Sequence, residues 1–132
     1  MITGIEHIGI AVNKIADIID FYEDFLGLKL VKIEESKQHR IKAALLTVNN
    51  MKIELIEPLD KESSISKFLD RKGQGIHHIA FRVDDLGTLI KDLKSKGFIL
   101  IDEKPRIGIE GKKIAFLHPK STGNVLIELC EH

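Results

Sequence analysis

The sequence predicts an α+β domain: two βαβββ modules forming a concave mixed sheet around a metal cleft. Three observations carry that prediction. His7-Ile8-Gly9-Ile10-Ala11-Val12 returns 71 residues later as His78-Ile79-Ala80-Phe81-Arg82-Val83. Each run is followed by apolar residues at helical spacing and then a glycine, Gly27 or Gly97. The later run Lys52–Glu57 has a counterpart in Val125–Cys130, so that Glu54 and Glu128 stand 74 residues apart. One half is too small to bury a helix and both faces of a sheet. The expectation is therefore a single domain over residues 1–132, with repeat 1 at about 4–58, a connecting helix at about 62–73 and repeat 2 at about 75–131.

The elements follow in chain order. Residues 7–12 alternate, with Ile8, Ile10 and Val12 on one face, and residues 78–83 do the same through Ile79, Phe81 and Val83. After the first strand, Ile15, Ile18, Ile19, Tyr22, Phe25 and Leu26 recur at three- and four-residue spacing, with Asn13 as the expected N-cap and Gly27 as the stop. Leu86, Leu89, Ile90 and Leu93 repeat the pattern behind Asp84 or Asp85 and before Gly97. Three strands are expected after each helix: Leu28–Glu34, Ile41–Val48 and Met51–Glu57, then Phe98–Glu103, Lys113–His118 and Asn124–Glu131. Asn49-Asn50 reads as a hairpin turn. Ser64–Lys72 reads as a short helix with Ile65, Phe68 and Leu69 on one side, and Gly73-Gln74-Gly75 leads into the second half.

Composition narrows the function classes. Twenty Lys plus Arg balance twenty Asp plus Glu, which removes the bulk electrostatic case for nucleic-acid or membrane binding. No apolar run reaches a membrane-spanning length, and the N-terminus has neither a basic nor an apolar leader region. One cysteine, Cys130, forms no intrachain disulfide and fits a reducing cytoplasm. A thiolate zinc site is equally excluded, so any metal must be held by histidine and carboxylate.

A lone histidine at a strand start, or a lone glutamate in mid-strand, is ordinarily a capped or solvated residue. Here His7 and His78 occupy matching positions, and so do Glu54 and Glu128. A carboxylate pointing from mid-strand into a covered face is costly unless paired or metal-bound. The four residues together point to one shared site on the pseudo-twofold axis. A His2Glu2 set suits Zn, Co, Ni, Mn or Fe and leaves coordination positions for a bidentate substrate. His77 shares the face of Ile79 and Phe81 and reads as structural. His39 reads as a loop residue, His118 as a strand end and His132 as terminal. Cys130 reads as a small apolar residue, and Gly108-Ile109-Glu110-Gly111 as a turn rather than a phosphate loop.

The duplicated βαβββ pattern, with ligand-type residues on first and fourth strands, resembles the vicinal oxygen chelate superfamily. That group includes glyoxalase I, extradiol dioxygenases, bleomycin-resistance proteins and methylmalonyl-CoA epimerase. Ile5–Val12, Lys52–Leu59, Gly75–Asp85, Phe116–Lys120 and Val125–Leu129 look most like the epimerases, with the paired His77-His78 and the phrase His118-Pro119-Lys120 the more specific. The resemblance implies metal ligands at His7, Glu54, His78 and Glu128, and one divalent ion per chain (Co, Zn, Ni, Mn or Mg). It implies an acyl-CoA substrate, a homodimer, and interconversion of the C2 epimers of methylmalonyl-CoA through a metal-stabilised enolate. It also makes Glu128 one of two catalytic glutamates. The second family glutamate falls on Ala43, beside Lys42, and neither is a carboxylate. The other acid/base is left open between another group, a water and Glu54. A His, Glu, His, Glu set also occurs in some glyoxalases, so glyoxalase I (lactoylglutathione lyase), or another isomerase or lyase of the superfamily, is the first alternative. A non-catalytic bleomycin-resistance-type binding protein is the second. A pure binding cleft has no need of four retained ligands, which weighs against that second alternative.

Overall fold

The structure, a computed structural model, describes residues 1–132. The chain divides into two compact units, His7–His77 and Met1–Glu6 with His78–His132. The division falls inside the first strand of each repeat, between Glu6 and His7 and between His77 and His78.

In the unit His7–His77 the sheet order is β2 (Lys29–Ser36), β3 (Ile41–Val48), β4 (Met51–Pro58), β1 (Ile2–Ala11, here from His7). β4 runs parallel to β1 and antiparallel to β3, which is antiparallel to β2. Val12, Ile15, Ala44, Leu46 and Leu55 form the core on one face, as the alternation requires. On the other face α1 (Ser64–Lys72) sets Ile65, Phe68 and Leu69 against Ala11, Ile56 and Ile41. Ser63 caps α1 by accepting the Ile65 N–H, and Gly73 ends it at φ 76°.

The expected regular helix after β1 is replaced by a 3-10 turn, Ile15–Asp17, and a π-helical turn, Phe21–Phe25. Asn13 is not the cap; Lys14 holds that position and makes no side-chain bond. The Ile15 N–H is instead accepted by Oε1 of Glu57, at the end of β4, at 2.7 Å. Three β-branched isoleucines within five residues, and no cap from the turn's own residues, disfavour a regular α-helix here. Gly27 is the stop, at φ 76°, with the Leu28 N–H returning to the Tyr22 carbonyl at 2.9 Å.

In the other unit the order is β5 (Gly75–Val83, here from His78), β8 (Ile127–Glu131), β7 (Lys113–Leu117), β6 (Arg106–Ile107). β8 is parallel to β5 and antiparallel to β7, the same plan as the first unit. The Thr3 hydroxyl donates to the Arg82 carbonyl at 3.3 Å, placing the first residues of β1 against β5. α2 (Leu86–Ser95) starts at Asp85, whose Oδ1 accepts the Thr88 N–H. It packs Leu86 and Ile90 on Val83, Ala115 and Leu129. The Leu86 N–H goes to Glu131 at 2.9 Å, repeating the Ile15–Glu57 bond of the first unit.

Phe98–Glu103 is not a regular strand. It touches β7 through a single bridge, Leu100 to Leu117, and the N–H groups of Ile101 and Asp102 converge on the one carbonyl of Phe116. The Asp102 side chain takes the Phe116 N–H that a strand carbonyl would otherwise accept. The last strand begins at Ile127, not Asn124, because Gly123 and Asn124 are left-handed at φ 74° and 70°. No helix is long and apolar enough to cross a membrane.

Candidate metal centre

The same construction occurs in both units. In the first, Gly9 of β1 is the register partner of Glu54 on β4, and His7 stands two residues before Gly9 on the same face. In the second, Ala80 of β5 is the register partner of Glu128 on β8, and His78 stands two residues before Ala80. The partners Gly9 and Ala80 are small, so each glutamate reaches diagonally towards its histidine. His7 and Glu54 are 4% and 6% exposed, with Nε2 and Oε2 3.8 Å apart. His78 and Glu128 are 4% and 7% exposed, with Nε2 and Oε1 3.7 Å apart.

These separations exceed a hydrogen bond. Two donors each about 2.1 Å from one ion lie at most about 4.2 Å apart, so each pair is within reach of a common divalent cation. The donors, imidazole nitrogen and carboxylate oxygen, are those that borderline divalent metals take. The four predicted residues thus occur as two buried His–Glu pairs of one local geometry. Beside the second pair, Phe116 is the register partner of Glu128 and meets the His78 ring edge-on at 5.7 Å.

The remaining histidines lie elsewhere. His77 packs edge-on against Phe68 of α1 at 4.9 Å, and burial, with Arg71 beside it, pushes its imidazole down to about 4. Its role is structural, but its neighbour is the connecting helix. His39 lies by the Ser36 hydroxyl, and His118 caps the turn Pro119–Ser121 through Nδ1. Burial, with the charge of Glu128 added, pushes the Cys130 thiol up to about 11, which suits a small apolar residue and not a nucleophile. Ala43 is buried on the face of Glu54, in register with Ile56.

Sequence reasoning missed Glu6. Its carboxylate is fully buried and receives His132 at 2.6 Å, Arg82 at 3.2 Å and, more distantly, Lys112 at 3.8 Å. The partners are distant in sequence, so no local motif marks it.

The signature of the Glyoxalase/Bleomycin resistance protein/Dioxygenase superfamily matches residues 6–116. The α+β chain with its duplicated strand plan has the fold of that superfamily. The chain is 45% identical to the uncharacterized Bacillus subtilis protein YqjC over 127 residues, 96% of this chain and 91% of that one. The solved methylmalonyl-CoA epimerase from Mycobacterium tuberculosis is 44% identical with TM-score 0.92, covering 98% of this chain and 88% of that one. A methylmalonyl-CoA epimerase solved with methylmalonyl-CoA and NH4+ is 33% identical with TM-score 0.93, covering 99% and 95%. The chain belongs to the methylmalonyl-CoA epimerase family of this superfamily, enzymes of the isomerase class.

Proposed function

We propose that the chain interconverts the C2 epimers of methylmalonyl-CoA, with His7, Glu54, His78 and Glu128 holding one divalent ion per chain. The observation that carries this reading is the pair of equally built, buried His–Glu sites in a chain of that family. Such an ion supplies Lewis-acid stabilisation of the charge that builds on the substrate's oxygens as C2 loses its proton. The two βαβββ halves then act as one vicinal oxygen chelate domain around a shared cleft.

C2 lies between two carbonyl groups, so its proton is acidic enough for a carboxylate to remove. Glu128 is the acid/base on one face of C2. Inversion needs a second proton-handling group on the opposite face. Ala43 has no proton to give or take, so that group does not stand at position 43. The working form is a cytoplasmic homodimer in which each chain carries a complete site. Chains lacking His7 mixed with chains lacking Glu128 accordingly recover no activity; recovery would mean that the site is shared between chains.

Proton NMR of methylmalonyl-CoA in D2O tests the reaction. Metal-loaded protein should place deuterium at C2, and metal-stripped protein should not. Hemithioacetal turnover without exchange at C2 would instead mark a glyoxalase.

A further inference from the structure

β6, an edge strand, carries a guanidinium outside the two His–Glu pairs. Arg106 opens β6, in register with Ile114 of β7. Its Nε donates to Oδ1 of Asp102 at 2.9 Å, while Oδ2 of Asp102 accepts the backbone N–H of Phe116 at 2.8 Å. Asp102 is thereby pinned at 15% side-chain exposure, whereas Arg106 keeps 42%. The guanidinium carbon stands over the Phe116 ring, 5.4 Å from its centroid. Phe116 is the residue that meets the His78 ring and faces Glu128 across the strands. A continuous set of contacts therefore fixes Arg106 relative to the His78–Glu128 pair.

An ordinary exposed Arg–Asp pair contributes little and holds nothing in place. This one is different because the carboxylate is itself locked to the β7 backbone and the guanidinium is stacked. With Nε committed, the donors left are those of Nη1 and Nη2, and neither meets a protein acceptor. That planar edge matches an oxyanion. The strand plan does not ask for a cation at this place. In the other unit the equivalent position is Glu34, register partner of Ala43, paired to Lys32 at 3.1 Å.

We propose that Arg106 is a substrate-binding residue whose Nη edge takes an oxyanion of the acyl-CoA. The inference rests on the epimerase reading. Two parts of such a substrate offer that chemistry, the free carboxylate of the malonyl group and the phosphates of coenzyme A.

The test uses Arg106→Gln and Arg106→Lys in the full-length, metal-loaded protein. KM and kcat come from exchange at C2, Kd for CoA and propionyl-CoA from calorimetry, and Tm serves as a folding control. Arg106→Gln should raise KM for methylmalonyl-CoA by about tenfold or more with kcat within about twofold, and Lys should restore part of the loss. Equal weakening of CoA and propionyl-CoA assigns the oxyanion to the phosphates. Weakening confined to methylmalonyl-CoA assigns it to the carboxylate. Unchanged KM and Kd in Arg106→Gln would overturn the proposal. So would a fall in kcat and Tm together with no change in KM, which would mark a structural ion pair. Wild-type protein that binds no acyl-CoA would defeat the epimerase reading itself, before any variant is compared.

Discussion

Nε2 of His78 stands 3.7 Å from Oε1 of Glu128, close enough to share a cation but too far for a hydrogen bond between those two atoms. The proposed function asks Glu128 both to ligate the ion and to exchange a proton with C2. Glu128→Gln keeps an oxygen donor but removes the proton acceptor. Steady-state kinetics should show kcat lower by about a hundredfold or more, with KM changed by only a few-fold. A raised KM with normal kcat would make Glu128 a ligand alone.

Adjacent histidines should behave differently. His78 is buried beside Glu128, whereas His77 packs on Phe68 and is held neutral by burial. His78→Ala should weaken divalent-metal binding by at least about a hundredfold, and His77→Ala should leave the metal Kd near the wild-type value. Equal losses in a metal titration would contradict the assignment of His78.

Glu57 substitutes for the missing cap of the helical turn after β1, accepting the Ile15 N–H at 2.7 Å. Glu57→Ala should destabilise the fold by about 1–2 kcal/mol, and Glu57→Gln by less, since an amide oxygen still accepts. The midpoint of denaturant unfolding reads this directly. Glu131→Ala should cost less than Glu57→Ala, because α2 retains its own cap at Asp85.

The duplicated plan was legible in the sequence because strand alternation and repeated offsets are local and periodic. His7 and His78, and Glu54 and Glu128, are buried on the matching strands where the repeat put them. The helix after β1 was not legible as irregular, since its apolar spacing is helical and its anchor, Glu57, lies 42 residues away. Phe98–Glu103 looked strand-like by composition, but the Asp102 side chain supplies the bond that would have continued a ladder. Glu6 and Arg106 escaped for a related reason. Their significance comes from partners brought together by the fold, which neither alternation nor helical spacing reports.

If two separate His–Glu pairs serve one ion, as proposed, neither pair holds a metal without the other. The most direct test is the metal content per chain, by native mass spectrometry, of wild-type protein and of His7→Ala and His78→Ala after exposure to Co or Zn. One ion per wild-type chain, lost in both variants, is the predicted result. Two ions per chain, or one ion retained when either histidine is removed, would mean that each pair binds on its own and would contradict the shared site.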